Sequence, residues 1–229
     1  MTEISGLIID CDGTILDSMY LWGRVFDEVV SRYGKVIDPA TDKAMADAHL
    51  ASKCMRVLNQ RLGCVPSDDD FVEIVYDHVY SYYKDKVSAF PGAREFMEEV
   101  AASGIPYVMA TGTRRREVRA ALDANGLSEF FPDEKLLSCE DLGVGKKNPA
   151  VYELASSKLG APRATTWVFE DEVEGLRTAA REGYRTVCMY NDHDGLDAES
   201  QAAVCDIFAR GFGEISLAKI RAWEGTAHE

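Results

Sequence analysis

The sequence predicts an α/β fold, a doubly wound parallel (Rossmann-like) sheet carrying an inserted all-helical segment, on three observations. Short apolar runs that end in polar or small residues recur at residues 7–9, 107–110, 136–137, 166–169 and 186–190, as expected of parallel strands buried on both faces. Helical patterns alternate with most of them, the arrangement that places helices on both sides of a parallel sheet. From Met19 to about Lys86 the alternation stops and the pattern is helical instead.

The helices between the strands carry clear punctuation. Ala93–Ser103 stops at Gly104 and the stretch 115–125 at Gly126. Ala150–Leu159 has Asn148 as its expected N-cap, Pro149 at the first helical position and Gly160 as its stop. In the inserted segment Leu21, Trp22, Val25, Phe26, Val29, Val30 and Tyr33 recur at helix spacing, followed by helical patterns over 55–62 and 71–83. Ser67 with Asp70 has the form of a capping box, which makes the acidic run 68–70 a helix start rather than a metal site. The expected division is a catalytic core of residues 1–17 and 88–229 and a helical segment of 18–87.

A chain of 229 residues suits one large domain or a core with a modest insertion, since single cores stop growing at about 250–300 residues. Its 46% hydrophobic and 28% charged residues match a folded globular protein. A net charge of -14, from 39 acidic against 25 basic residues, repels polyanions and sets the chain against nucleic acid or an anionic membrane as partner. The six cysteines show no CxxC pair and no histidine at zinc spacing, which reads as free thiols in a reducing cytosol. The polar start runs straight into Leu7, Ile8 and Ile9, leaving no room for a signal peptide. No apolar stretch approaches the ~18 residues of a membrane span, so cytoplasm is the expected compartment.

The strongest chemical signal is Asp10-Cys11-Asp12-Gly13-Thr14 at the end of the first predicted strand, the end that faces the ligand crevice in open α/β sheets. As plain structure it would be an acidic turn, with Gly13 supplying the backbone angle and Asp12 bonding nearby amides. As chemistry, two carboxylates two residues apart can share one crevice, where like-charge repulsion and desolvation raise one pKa and separate a nucleophile from an acid. Further along come Tyr107-Val108-Met109-Ala110-Thr111-Gly112-Thr113, then Gly145-Lys146-Lys147-Asn148-Pro149-Ala150-Val151-Tyr152, then Val168-Phe169-Glu170-Asp171-Glu172-Val173-Glu174-Gly175. The second of these is not a nucleotide-binding loop, because Lys147 stands where Ser or Thr is required and the glycine five residues earlier is missing. The acids of the last suit a small, hard cation such as Mg²⁺.

The run from Asp10 through Ile15-Leu16-Asp17-Ser18 resembles the first motif of the haloacid dehalogenase superfamily, and the three later segments resemble its second, third and fourth motifs in the required order. The resemblance implies Asp10 as nucleophile and Asp12 as general acid and base. That second aspartate marks the phosphoryl-transferring members and is lacking in the haloalkanoate dehalogenases. Thr111 and Gly112, with neighbouring amides, would hold the phosphoryl group, and Lys146 would neutralise Asp10 and the phosphate oxygens. The closest branch usually carries proline where Lys147 stands, and the spacing to Pro149 favours Lys146 as the inward lysine. Mg²⁺ would be bound by Asp10, the main-chain carbonyl of Asp12 and Asp171, with Glu170 bound directly or through water. Glu172 replaces the serine often found there, and Glu172 and Glu174 read as a solvated helix start.

The resemblance covers nearly the whole chain. The helical segment is similar to the family's alpha-helical cap, Phe90-Pro91-Gly92 looks like the return into the core, and the closest branch is that of beta-phosphoglucomutase and many small phosphatases. The expected activity is Mg²⁺-dependent hydrolysis of a small phosphomonoester, a sugar-phosphate-like metabolite, through an aspartyl phosphate. A phosphosugar mutase is the nearest rival. Against it, Trp22 stands where the mutase carries a histidine, and His49-Leu50-Ala51-Ser52-Lys53 offers no arginine for a distal phosphate. Phosphonate cleavage would need a Schiff-base lysine, for which Lys53 is the one candidate. A non-catalytic, receiver-like phospho-acceptor is disfavoured by the Asp-x-Asp pair and by the insertion. Asp192-His193-Asp194-Gly195 echoes the first motif but lacks the ligand series of a calcium loop, and His49, His78 and His228 form no metal pair.

Overall fold

The computed structural model describes residues 2–48, 50–193 and 195–225; His49, Asp194 and His228 lie outside the described residues. The chain opens with β1 (Gly6–Ile9) and the two-residue β2 (Leu16–Asp17), then enters α1 (Met19–Ser31), α2 (Pro39–Ala46), α3 (Ala51–Leu62) and α4 (Asp68–Asp85). It returns through β3 (Ser88–Ala89), followed by α5 (Ala93–Ser103), β4 (Tyr107–Thr111), α6 (Arg115–Ala124), β5 (Leu136–Ser138) and α7 (Cys139–Leu142). The remainder is α8 (Ala150–Leu159), β6 (Thr166–Glu170), α9 (Val173–Arg181), β7 (Arg185–Met189), α10 (Ala198–Ala202), β8 (Ile207–Ala209) and α11 (Leu217–Arg221).

The main sheet has six strands in the order β5-β4-β1-β6-β7-β8, and every neighbouring pair is parallel. This is the doubly wound parallel sheet the sequence predicts. β1 lies between β4 and β6, with Ile8 opposite Val108 on one side and Val168 on the other. Its side chains alternate between faces as a strand requires: Leu7 and Ile9 join the larger apolar cluster, and Ile8 joins the smaller one beside Tyr152 and Ala155 of α8. A strand covered on both sides has no polar face, which is why the run is apolar throughout.

The structure departs from the expectations in three places. The sheet gains β8, whose three residues form too short a run to stand out as a periodic pattern. β2 and β3 form a separate antiparallel ribbon, pairing Leu16 with Ala89 and Asp17 with Ser88, so the chain leaves for the helices and returns from them side by side. At α8 the cap position falls on Pro149 rather than Asn148, because the proline already holds helical angles (φ -62, ψ -19). Asn148 Oδ1 still accepts from the Ala150 amide at 3.0 Å, serving the helix from one residue further out.

Within the helical segment α4 is central, burying Phe71, Val72, Val75, Tyr76, Val79 and Tyr83 along one stripe. Ser67 caps it as expected, its side chain accepting from the Asp70 amide at 3.2 Å. Asp38 caps α2 by accepting from the Ala40 and Thr41 amides, with Pro39 in the first turn. α4 also packs on α6 of the sheet layer, where Arg114 reaches Glu73 at 2.7 Å and Arg116 reaches Asp77 at 2.8 Å. No helix among the described residues is long and apolar enough to cross a membrane.

Candidate active site

Because the strands are parallel, their carboxyl ends meet at one edge of the sheet. There Asp10 follows β1, Thr111 ends β4 and Glu170 ends β6, while the loop before α8 supplies Lys146. The Asp10 amide donates to the Phe169 carbonyl at 3.0 Å, tying the first motif to the fourth. Lys146 Nζ donates to Asp10 Oδ1 and, at 2.9 Å, to Glu170 Oε2. Lys147 is exposed and lines a neighbouring cavity with Lys53, so Lys146 is the lysine that turns inward. Carboxylate oxygens of Asp10, Glu170 and Asp171 lie within 4.8 Å of one another, and all three residues are buried.

Two glycines make room for this cluster. Gly13 sits at φ +79, and a Cβ there would overlap the Asp171 carboxylate; a Cβ on Gly175 would overlap the carboxylate of Glu170. Gly13 therefore answers both to the turn, which favours a residue without a Cβ, and to the close approach of an acid.

Asp12 has a different environment. Its Oδ1 accepts from Ser18 Oγ at 2.5 Å and from the Tyr83 hydroxyl, and its Oδ2 accepts from Thr113 Oγ1 at 2.8 Å and Thr111 Oγ1 at 3.4 Å. Trp22 Nε1 donates to Tyr83 Oη at 3.1 Å. An indole N–H can only donate, so the Tyr83 hydroxyl accepts from Trp22 and gives its own proton to Asp12. Thr111 is fully buried, with its hydroxyl also accepting from the Thr113 amide at 3.1 Å, while Gly112 and Thr113 face the cavity.

Ser18, Thr113, Tyr83 and Asn191 are not singled out as site residues by the sequence. Ser18 closes the first motif and Thr113 lies on the same loop as Thr111, so both were within local reach. Tyr83 arrives from α4 and Asn191 from the loop after β7, where no spacing marks them. Asn191 Nδ2 donates to Asp171 Oδ2 at 2.5 Å.

Burial raises the Asp10 pKa; Lys146 pulls it back and the nearby Asp12 charge pushes it further up. Glu170 is pushed well above the usual carboxylate range by burial, against the pull of Lys146. Burial works against a charged Lys146, yet Asp10 and Glu170 hold its ammonium well above the ordinary value. Burial, then the Asp12 charge, pushes the Tyr83 phenol well up and keeps it a proton donor. Glu174 makes a solvated pair with Arg177 at 2.9 Å, whereas Glu172 borders the cavity.

That cavity measures about 390 Å³. Its floor is the strand-end chemistry of Asp10, Asp12, Lys146, Asp171 and Glu172; its roof is Met19, Trp22 and Phe26 of α1 with Leu50, Ala51 and Cys54 at the start of α3.

The fold has known counterparts. The chain resembles the phosphorylated carbohydrates phosphatase of Thermotoga maritima, 26% identical over 203 residues that cover 84% of this chain and 90% of the relative. It resembles the protein CbbY of Rhodobacter capsulatus, 27% identical over 87% of this chain and 91% of the relative. Hexitol phosphatase B of Escherichia coli is 25% identical over 82% of this chain and 84% of its own length. The solved structure of CbbY from Rhodobacter sphaeroides in complex with phosphate superposes with a TM-score of 0.79 at 20% identity, covering 95% of this chain and 99% of that one. The family model for haloacid dehalogenase-like hydrolases matches residues 4–183, and the chain belongs to that family, as a phosphoric monoester hydrolase.

Proposed function

We propose that the chain hydrolyses the phosphate ester of a small metabolite, with Asp10 as nucleophile, Asp12 as acid and base, and Mg²⁺ as cofactor. The observation that carries this reading is the pairing of two unlike aspartates at one strand end. Asp10 is buried against Lys146, with its second oxygen, Oδ2, buried and without a hydrogen-bond partner. Asp12 is gripped by hydroxyl donors. An unsatisfied buried carboxylate oxygen among clustered acids fits a hard, oxygen-loving cation. Asp10, Glu170 and Asp171 would hold Mg²⁺ with their carboxylates and Asp12 with its main-chain carbonyl. When bound, the ion would neutralise charge on the phosphoryl oxygens.

Asp10 attacks phosphorus, the bond from phosphorus to the ester oxygen breaks, and Asp12 protonates the departing alkoxide. Asp12 then takes a proton from the water that attacks the aspartyl phosphate, releasing inorganic phosphate and freeing Asp10. Lys146 faces Asp10 and balances the charge gathered there; the Gly112 amide, on the cavity wall, would steady the transferring group, and the buried Thr111 hydroxyl, bonded to Asp12 and to the Thr113 amide, would hold that loop in place. Holding charge in a dry, preorganised site is the larger part of phosphoryl-transfer catalysis.

Residues 18–87 act in this reading as a cap that excludes bulk water from the core of 1–17 and 88–229. The carbohydrate phosphates named for the relatives make the first substrates to try. All six cysteines are free thiols, which supports a cytoplasmic setting. Trp22 in the roof, in place of a base, favours water over a sugar hydroxyl as acceptor and so hydrolysis over mutase chemistry. The test is phosphate release from a panel of phosphomonoesters with Mg²⁺ and with chelator, together with acid trapping of labelled phosphate on the protein. Catalytic turnover that chelation stops and Mg²⁺ restores is expected. Stable phosphorylation without turnover would replace this reading with a receiver-like phospho-acceptor.

A further inference from the structure

We infer that the alcohol released by this enzyme is uncharged and presents an aromatic or alkyl face, carrying neither a second phosphate nor a carboxylate. The inference rests on the phosphatase reading above and departs from the carbohydrate substrates of the named relatives.

The roof is the part of the cavity that a leaving group meets, and among its described residues the polar valences are already used. Trp22 spends its indole N–H on Tyr83 at 3.1 Å, leaving its ring surface for a ligand. The Cys54 thiol donates to the Met45 carbonyl at 3.2 Å, and burial pushes its pKa up to about 11, so it carries no charge at neutral pH. Trp22 and Phe26 are half-buried, with ring centroids 6.1 Å apart, and between them and Met19 the roof offers π surface and thioether. Such a surface gains by covering hydrocarbon and loses when a hydroxyl must give up water without a new partner.

The floor opposes a second anion. Among the described lining residues Asp10, Asp12, Asp171 and Glu172 face a single cation, Lys146. One phosphoryl dianion with Mg²⁺ suits that balance, whereas a distal carboxylate or phosphate would add negative charge to a cavity already rich in it. Lys53 and Lys147 line a neighbouring cavity that shares Leu50 and Gly145 with this one. Both lysines are exposed, where water and salt screen them. Among the described residues lining the two cavities they are the only cations besides Lys146, so a bisphosphate would have to reach them for counter-charge.

The experiment compares kcat/KM of the wild-type protein, with Mg²⁺, for benzyl phosphate, a hexitol 6-phosphate, 2-phosphoglycolate and a hexose bisphosphate. Benzyl phosphate matches the primary-alcohol leaving group of the sugars, so the comparison reads recognition rather than leaving-group acidity. Benzyl phosphate is expected to lead by about tenfold or more, the scale on which apolar pockets discriminate. Trp22→Ala should remove that lead through a raised KM, and Phe26→Lys should shift the preference toward 2-phosphoglycolate. A lead by the hexitol phosphate, by 2-phosphoglycolate or by the bisphosphate would overturn the inference and leave the phosphatase reading standing. No turnover of any ester would defeat the phosphatase reading itself.

Discussion

The floor and roof of the cavity face each other but are built on opposite principles. On the floor the buried acids are tied to groups from other segments: Lys146 joins Asp10 to Glu170, Asn191 holds Asp171, and glycines at 13 and 175 leave space that any side chain would fill. On the roof, the side chains that meet the cavity are apolar and, apart from the buried Leu50, partly exposed, carried by helices that leave the sheet through a two-residue ribbon. The difference shows how such a protein can keep one chemistry and vary its substrate. Charge placed at strand ends tolerates little movement, because its partners are buried and few. An apolar helix face can be recut at positions such as Phe26, which makes no bond to the floor, without disturbing that charge.

The largest effect should come from the floor. Asp10→Asn keeps the shape but cannot form the phosphoenzyme, and phosphate release should fall at least ~10³-fold with the circular dichroism spectrum unchanged. Activity near the parental level in a preparation free of other phosphatases would remove Asp10 as nucleophile. Next is the lysine pair. Lys146→Ala should lower kcat by about 10²-fold, as loss of one preorganised charge does, while Lys147→Ala, exposed and screened, should change it little. The reverse order in measured kcat would move the active-site cation to Lys147 and break the contrast between buried and exposed charge.

Much of the floor was legible in the sequence because each motif is continuous in the chain, and all but the one around Lys146 end a buried strand. The family resemblance implied Asp10, Lys146, Glu170 and Asp171 as one site, and the structure gathers them. The partners of Asp12 were less legible. Tyr83 reaches it from α4 and is itself held by Trp22 of α1, and the register that brings them together is set by helix packing, which leaves no fixed spacing in the sequence. In the sequence both read as members of apolar helical stripes, which they are. The strand β8 and the ribbon of β2 and β3 escaped notice for a simpler reason: two or three residues cannot display a period.

Two substitutions sharpen the comparison at intermediate size. Gly175→Ala drives a methyl into the Glu170 carboxylate, which Lys146 pins from the other side. It should cost about 1–3 kcal/mol by overpacking, read as a fall in Tm and weaker Mg²⁺ binding by calorimetry. An unchanged Tm would mean that the floor yields as readily as the roof. Tyr83→Phe removes one donor from Asp12 and the acceptor of Trp22. With Ser18 and Thr113 still in place, kcat should drop by about tenfold, the scale of one hydrogen bond to a charged group, with KM little changed. A larger change in KM than in kcat would make Tyr83 a roof residue that positions substrate rather than one that positions Asp12.

The smallest effect should lie behind the roof, where α1 and α4 meet. Glu28 accepts from the Tyr82 hydroxyl at 2.7 Å, lies 2.9 Å from His78 Nε2 and pairs with Arg24 at 2.8 Å. The Tyr82 bond, then those from His78 and Arg24, lower its pKa from the usual 4.5 to about 2. A carboxyl whose pKa falls on folding adds stability that is fully present above its unfolded value and disappears as pH drops through its folded value. Glu28 should therefore help the folded state above about pH 4.5 and progressively less down to about pH 2. The site is partly open to water, so the contribution at neutral pH should be only about 0.5 kcal/mol. Glu28→Gln should lower Tm slightly at pH 7, and the two proteins should converge as the pH falls toward 2. Parallel Tm curves across that window would show that the charge of Glu28 does not hold the helices together, and that the seam behind the roof rests on its apolar packing alone.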